Sequence, residues 1–565
     1  MRLRANSYYE ERPKMLGWLR QRARHTRRWA GPTQLGDKLA PGSKRSVLIA
    51  TSTGAYNHAT TCDSALARAL KVRGADVSVL LCDGPLPACQ MSKLSRVDAR
   101  ELTTVGRQSF CQHCRRDGLA AYSAVGATIL HPSRHLSVAE YEFARKVAYE
   151  TPVEAIPRFI WANLPLGEHA YAGALRFFAR GDLANESHGE AVLRKYLEAA
   201  VLTALATLNL LKGQSYEVVV VHHGIYVPQG IICEVARQMG IRVVTWNPAY
   251  RRNTFIFSHT ETYHRSMITE PNEVWDDLDL SPRLEGALMV YLNSRRHGGE
   301  DWIWFHERPR ENAETILRDL GVAPDKPIVV LLTSVVWDAQ LHYQSNAFPN
   351  MLVWIFRTIE YFALRPDLQL VIRVHPAEVR GLIPSRQRVG DEIRRRFPRL
   401  PVNVFVVEPE NQASTYALCG VARVVLIYNT KTGIEVAAAG RPTIVAGEAW
   451  IRGKDFSLDA STPDEYFALL NRLPDIPPLD EETRRRARRY AYHFFFRRMI
   501  PLPFIRDAKK LTFVLDIKSP NDLRPGRFRG LDVVCDGILR GTPFVYPAER
   551  LGEETTGTAR VVADQ

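Results

Sequence analysis

One pattern constrains this chain more than any other: a short, almost wholly apolar run, a turn of small or polar residues, then a helix-length segment. The first instance is Arg45-Ser46-Val47-Leu48-Ile49-Ala50-Thr51, followed by Gly54 and a helical stretch carrying Leu66, Leu70 and Val72. That stretch leads into Val77-Ser78-Val79-Leu80-Leu81, which ends at Cys82. Runs without polar alternation suit strands covered on both faces, and strand–helix–strand order requires a parallel sheet. A second unit starts with Tyr216–Val221, passes through His222-His223-Gly224 and the helix Ile231–Met239, and closes on the strand Arg242–Thr245. Residues 136–212 between the two units read as mainly helical, with an amphipathic run from Ala191 to Leu211.

The pattern restarts near Pro327, with strands expected at Ile328–Leu332, Leu368–Val374, Asn403–Val407, Val424–Ile427 and Pro442–Val445. The fold class is therefore α/β: two Rossmann-like lobes, with a helical insertion in the N-terminal one. A chain of 565 residues has room for two to four domains. The expected boundaries are 1–43, a basic and poorly ordered N-terminus; 44–285, the N-terminal lobe; and 286–325, a linker broken at Arg295-Arg296-His297-Gly298-Gly299. Then come 326–480, the C-terminal lobe; 481–515, a basic-aromatic helix; and 516–565, a tail of little periodicity.

The formal net charge of +14 is unevenly spread. Residues 1–30 hold nine Lys/Arg against Glu10 and Glu11. Arg484-Arg485-Arg486, Arg488-Arg489 and Arg497-Arg498 alternate with Tyr490, Tyr492 and Phe494-Phe495-Phe496. Arginine beside bulky aromatics suits an anionic membrane surface; the alternative is a solvated face whose rings pack inward. No nucleic-acid motif accompanies the charge, so nucleic acid is not an expected partner. No apolar run is long enough to span a bilayer, and no apolar run follows the basic N-terminus. The expectation is a cytoplasmic protein, peripheral at the inner face of the plasma membrane, with mostly reduced cysteines.

Two stretches carry the chemistry. In Leu370-Val371-Ile372-Arg373-Val374-His375-Pro376-Ala377-Glu378 an apolar strand runs into His-Pro, which sets the imidazole at the strand's carboxyl end. In Val424-Val425-Leu426-Ile427-Tyr428-Asn429-Thr430-Lys431-Thr432-Gly433-Ile434-Glu435 a strand enters a turn of hydroxyls plus lysine, with a helix starting at about Thr432. Hydroxyls, first-turn N–H groups and Lys431 together suit a phosphate. Glu435 is placed to hold a ribose or, alternatively, to cap the helix.

Both stretches, with Gly440-Arg441-Pro442 and the segment to Tyr466, resemble the bacterial capsule polysaccharide biosynthesis proteins, glycosyltransferases of GT-B architecture with an HP motif. The resemblance covers roughly 327–466. It implies a nucleotide-sugar donor, often CMP-activated with UDP- or GDP-sugars as further options, and inverting transfer without a metal at the phosphate. It implies that His375, Thr430 and Thr432 stabilise the departing phosphate, and that Thr333 and Ser334 line its site. Pro376, Glu378, Asn429, Lys431, Gly433 and Glu435 complete the expected nucleotide site. Lys431 departs from the family, which mostly has a small hydroxyl residue there, and leaves the nucleotide open.

In the N-terminal lobe His222 and His223 end a strand and are the candidate bases for a sugar hydroxyl, with His58 and Asp63 behind them. Trp246 offers a ring to a sugar, and Arg251 and Arg252 offer charge to an acidic acceptor. Cys82, Cys89, Cys111 and Cys114 have spacing that suits a structural zinc, with an iron–sulfur cluster as second choice and His113 as a substitute ligand. The other reading is four unrelated thiols. The function expected is transfer of a sugar to a growing surface polysaccharide or lipid-linked glycan. The alternatives are a polyol- or glycerol-phosphate transferase using a CDP-activated donor, and a non-catalytic scaffold of capsule assembly.

Overall fold

The structure, a computed structural model, describes residues 45–550 apart from 105, 107, 306, 307, 340, 342, 343, 510 and 511. The expected basic segment 1–43 therefore lies outside the described residues, as does 551–565 of the tail.

The N-terminal lobe is built on β1 (Ser46–Ser52), β2 (Asp76–Leu81), β3 (Thr128–Leu130), β4 (Val218–His222), β5 (Arg242–Pro248) and β6 (Thr254–His259). The C-terminal lobe holds β7 (Ile328–Leu332), β8 (Gln369–Arg373), β9 (Val404–Val407), β10 (Val424–Ile427), β11 (Thr443–Val445) and β12 (Leu458–Asp459). A further short strand, β13 (Ile500–Pro501), returns to the first sheet, and β14 (Ile505–Lys509) and β15 (Thr512–Leu515) after it form a separate hairpin. Sheet order is β13-β6-β5-β4-β1-β2-β3 in the first lobe and β12-β11-β10-β7-β8-β9 in the second. The second sheet is parallel throughout; the first is parallel from β3 to β5, with β6 and β13 antiparallel at its edge. These are two Rossmann-like lobes, the GT-B arrangement.

Alternation along β1 explains why it is apolar throughout. Val47 and Ile49 enter one core cluster, while Leu48 and Ala50 enter the cluster on the opposite face, and all four are fully buried. That second face is covered by the helical insertion, with helices Val138–Glu150, Leu166–Phe178 and Gly189–Gly213. Full burial of one such aliphatic side chain is worth about 1.5–3 kcal/mol. In each sheet the strand order reverses at one place, between β1 and β4 and between β7 and β10. The crevice beyond the carboxyl ends of the strands at such a point is where ligands bind in open α/β sheets.

Three expectations change. The segment read as a linker contains the end of the helix Pro282–Ser294 and the helix Ala313–Leu320. The tail contains the helix Arg529–Arg540, which buries Leu531, Val534, Cys535 and Ile538 and packs on the N-terminal lobe through Arg73–Asp532 (2.5 Å). The basic-aromatic segment packs as a strap between the lobes. Tyr490, Phe494 and Phe495 are fully buried, while Arg486 pairs with Asp276 (3.0 Å), Arg488 with Glu285, and Arg498 with Glu270 (3.5 Å). Its largest rings are inside and these three arginines meet carboxylates, the inward-packed alternative. No helix among the described residues is long and apolar enough to cross a membrane.

Candidate functional site

The two reversal points face each other across a cleft of about 540 Å³, a size typical of ligand sites. Its C-terminal wall comes from the ends of β7, β8 and β10: Thr333, Ser334, His375, Pro376, Asn429, Thr430, Lys431 and Thr432 all line it. The opposite wall comes from the ends of β1, β4 and β5, with Tyr56, His58, His222, His223, Asn247 and Tyr250. Thus residues more than a hundred positions apart in sequence converge because each follows a parallel strand.

His375 is held in one tautomer. Its backbone N–H donates to Thr333 Oγ1 (3.0 Å), and its Nδ1 accepts from the Ala377 N–H (3.0 Å). An Nδ1 that accepts leaves the proton on Nε2, which makes the outer nitrogen a donor. Burial, then the charges of Lys431 and Arg373, lower the imidazole to about 4, so it is neutral at physiological pH. Beside it Ser334 Oγ donates to Asn429 Oδ1 (2.5 Å).

The turn at Thr430 differs from expectation. Its amides are engaged internally: Thr432 N–H with Thr430 Oγ1 (3.4 Å), Gly433 N–H with Thr430 O (3.3 Å), and Ile434 N–H with Lys431 O (3.0 Å). The turn therefore offers hydroxyls more than amides. Glu435 lies beneath the floor, 4% exposed, and accepts from Lys431 Nζ (2.6 Å), Arg295 Nε (3.0 Å) and the Tyr416 hydroxyl (2.5 Å). Burial works against its ionisation, yet Arg295 and then Lys431 hold the carboxyl at about 2. Lys431 moves the opposite way: burial and Arg295 lower its ammonium although Glu435 supports it. One carboxylate serves two cations, and Arg295 takes the larger share. A carboxylate so occupied clamps the turn and is not placed to hold a ribose.

Two further expected nucleotide residues lie outside the cleft. Gly433 packs in the core, where an added Cβ would stand 2.6 Å from Ile427 Cδ1. Glu378 is fully buried and accepts from the Val389 N–H (3.2 Å) at the start of the helix Val389–Arg396; burial raises its carboxyl to about 8.

On the N-terminal side the histidines form an aromatic wall. His222 packs against Tyr56 (5.3 Å), His58 (5.3 Å) and Trp246 (4.8 Å). His223 sits at φ +65°, a conformation that costs about 1–3 kcal/mol outside glycine and marks functional sites. Among the described residues its buried Nδ1 has no hydrogen-bond partner. Burial holds both imidazoles far below their usual range, hence neutral. Asp63 does not reach the cleft: it is fully buried, accepts from Trp246 Nε1 (3.0 Å) and the Tyr122 hydroxyl (3.3 Å), and burial raises it to about 7. Trp246 is correspondingly unavailable to a sugar. Arg251 packs over Phe496 (4.3 Å) and the exposed Arg252 over Trp304 (5.3 Å), and neither lines the cleft.

The sequence reading missed several wall residues. Tyr250, Tyr263, His264 and Trp450 form an aromatic corner in which Trp450 Nε1 donates to the His264 carbonyl (3.2 Å). Asp338 lines the cleft and accepts from the Tyr226 hydroxyl (2.7 Å), which joins the lobes. Only Tyr250 carried a signal, since it follows a strand directly; the others lie on loops whose return to the cleft is not encoded locally.

The cysteines do not form the expected metal site. Cys82, Cys89, Cys111 and Cys114 line one crevice of about 20 Å³. Yet no group of three or more His, Cys, Asp or Glu among the described residues is arranged to hold a metal. Cys111 and Cys114 lie on the helix Gln108–Ser123 rather than in a knuckle turn. The Cys114 sulfur accepts the Gly54 and Ala55 N–H groups (3.2 Å each), and burial raises its thiol. The expected zinc or iron–sulfur site is thus not supported among the described residues.

No family model matches this sequence, and no curated protein matches it. Among solved structures it is similar to the β-Kdo 2,4-transferase KpsC of Thermosulfurimonas dismutans: 14% identity, 55% of this chain and 87% of that one, TM-score 0.34. The β-Kdo 2,7-transferase KpsC of the same organism gives 12%, 56% and 88%, TM-score 0.31. A glycosyltransferase from Rickettsia africae ESF-5 gives 9%, 80% and 94%, TM-score 0.28. At these scores nothing about chemistry follows from them.

Proposed function

We propose that this chain is a glycosyltransferase that moves a sugar from a nucleotide-sugar to a hydroxyl of a surface polysaccharide or glycolipid acceptor. One observation carries the reading. Neutral donors from the ends of β7, β8 and β10, among them His375 Nε2–H and the Thr333, Thr430 and Thr432 hydroxyls, face a wall of neutral histidines across one cleft. The first set suits the phosphate of a departing nucleotide and the second a hydroxyl that must lose its proton. In this reading His223 takes the acceptor proton. The acceptor oxygen bonds to the anomeric carbon as the carbon–phosphate-oxygen bond breaks, and the electron pair leaves with the nucleotide. Donors fixed before reaction stabilise that developing charge, and loss of one costs about 10²–10³ in kcat.

The test is the melting temperature of the full chain with CMP, CDP and UDP, alongside His375→Ala. The expected result is stabilisation by at least one nucleotide, weakened in the variant, whose own melting temperature stays at the wild-type value. No response to any nucleotide would overturn the reading.

A further inference from the structure

Outside the cleft wall, three cations of the N-terminal lobe lie within one another's field, two of them also acting on Tyr56. Tyr56 lays its ring against His58 (4.0 Å) and His222 (5.3 Å) inside the cleft, and the charges of Arg176 and Arg96 act on its hydroxyl. Arg176 also donates to the Gln90 carbonyl (2.5 Å) and lies over the Tyr226 ring (5.1 Å). Lys93 and Arg96 come from the loop after β2, and Arg96 stands over Phe110 (5.7 Å). The loop is fixed rather than loose: the Gln90 N–H donates to the Val227 carbonyl (2.8 Å), the Leu94 N–H to the Phe177 carbonyl (3.4 Å), and the Tyr196 hydroxyl to the Cys89 carbonyl (3.2 Å).

Among the described residues none of these three cations makes an ion pair with a carboxylate, although most other arginines near the cleft do. Asp98, the nearest acid in sequence, accepts the Arg100 N–H (2.8 Å) instead. Asp338 raises the Arg176 guanidinium through its charge without forming an ion pair with it. Burial and then the charges of Arg96 and Arg176 lower the Lys93 ammonium, as expected for like charges without a counter-ion. Beside them Gln90 is 4% exposed, and its side-chain oxygen has no partner among the described residues, an acceptor left for a ligand hydroxyl.

We propose that Lys93, Arg96 and Arg176 form an oxyanion subsite for the acceptor, one that holds a carboxylate or phosphate group while Tyr56 separates it from the histidine wall. The inference rests on the transferase reading for the word acceptor, but the subsite is defined by the side chains alone. Charge-assisted bonds of this kind set position as well as affinity.

The experiment compares the full wild-type chain with Lys93→Met/Arg96→Gln, both changes on an anchored surface loop, leaving the buried Arg176 intact. Binding is measured for a hexuronate-containing tetrasaccharide, its carboxyl-reduced counterpart, and vesicles with and without phosphatidylglycerol. The wild type should prefer one anionic probe to its neutral partner, the affinity should fall with added salt, and the double variant should lose roughly tenfold or more. The preferred probe identifies the source of the oxyanion as sugar or lipid. Equal binding by wild type and variant, or no wild-type preference for either charged probe, overturns the subsite. A nucleotide melting shift recorded on both proteins keeps the two readings apart: loss of that shift in wild type sinks the transferase, not the subsite.

Discussion

Replacing Glu435 with glutamine isolates the clamp under the cleft floor. The carboxyl is 4% exposed and has two cationic partners, Arg295 at 3.0 Å and Lys431 at 2.6 Å. A carboxyl brought from 4.5 to about 2 in the fold contributes ~3 kcal/mol of stability at neutral pH. Removing one partner of a buried pair costs about 3–5 kcal/mol by an independent route, so the two agree. The sign follows from the depressed value: the contribution is complete above the unfolded carboxyl's range and is lost as pH falls through about 2. Near pH 3 less than roughly half of it should remain. For a lobe of this size the neutral-pH loss corresponds to roughly 6–12 °C in melting temperature. Intrinsic tryptophan fluorescence on Glu435→Gln and wild type at about pH 7 and about pH 3 measures both. A gap under about 2 °C at neutral pH, or one that does not shrink in acid, refutes the clamp.

Asp63→Asn tests the opposite case. Its carboxyl is raised to about 7, so unfolding releases a proton between about 4 and 7 and wild-type stability must fall across that window. The asparagine keeps an acceptor for Trp246 and an amide for the Tyr122 oxygen, and should flatten the slope; an unchanged slope in melting temperature would rule the buried acid out as its source. Gly54→Ala should destabilise the N-terminal lobe by about 1–3 kcal/mol or more, because its Cβ would stand 1.9 Å from the Cys114 carbonyl oxygen and 2.8 Å from the Gly118 nitrogen, both backbone. Circular dichroism melting checks this, and a neutral effect would mean the helix Gln108–Ser123 sits further from β1 than described.

The strands were legible because a strand covered on both faces must be apolar throughout, as Val218–Val221 and Ile328–Leu332 are. The site was legible where a polar residue directly ends such a strand: Thr333, His375, Thr430 and His223 all reach the cleft for that reason. What depended on distant partners was not. Glu435 reads as a ribose ligand until Arg295, 140 residues earlier, is seen to occupy it. The pairing of the strap arginines with Asp276, Glu285 and Glu270 was not legible either, because those acids lie about 200 residues earlier. Four cysteines at suggestive spacing read as a metal site, yet no metal-holding group forms among the described residues, because Cys111 and Cys114 lie on one helix rather than in a turn. The helix Arg529–Arg540 was within reach: Leu531, Val534, Cys535 and Ile538 have helical spacing, obscured by the glycines around them.

The two walls of the cleft treat charge differently, and that difference is measurable. Beside the C-terminal wall Lys431 and Arg295 meet Glu435, Arg296 meets Glu311 (2.9 Å), and Arg373 donates to the Glu408 and Asn411 carbonyls (2.7 and 3.1 Å). A phosphate arriving there would have to compete with the buried Glu435 carboxylate for Lys431 or Arg295, and breaking such a pair costs about 3–5 kcal/mol. Hydroxyls and the His375 Nε2–H are available at no such cost. Nucleotide affinity should therefore depend weakly on ionic strength, whereas an anionic acceptor held by Lys93, Arg96 and Arg176 should lose affinity steeply as salt screens partly exposed charges. Titrating both ligands on the full chain between about 0.02 and 0.5 M salt compares the slopes directly. A nucleotide dissociation constant that rises as steeply as the acceptor's would mean that a free cation reaches the phosphate, and the division of labour between the walls would fail.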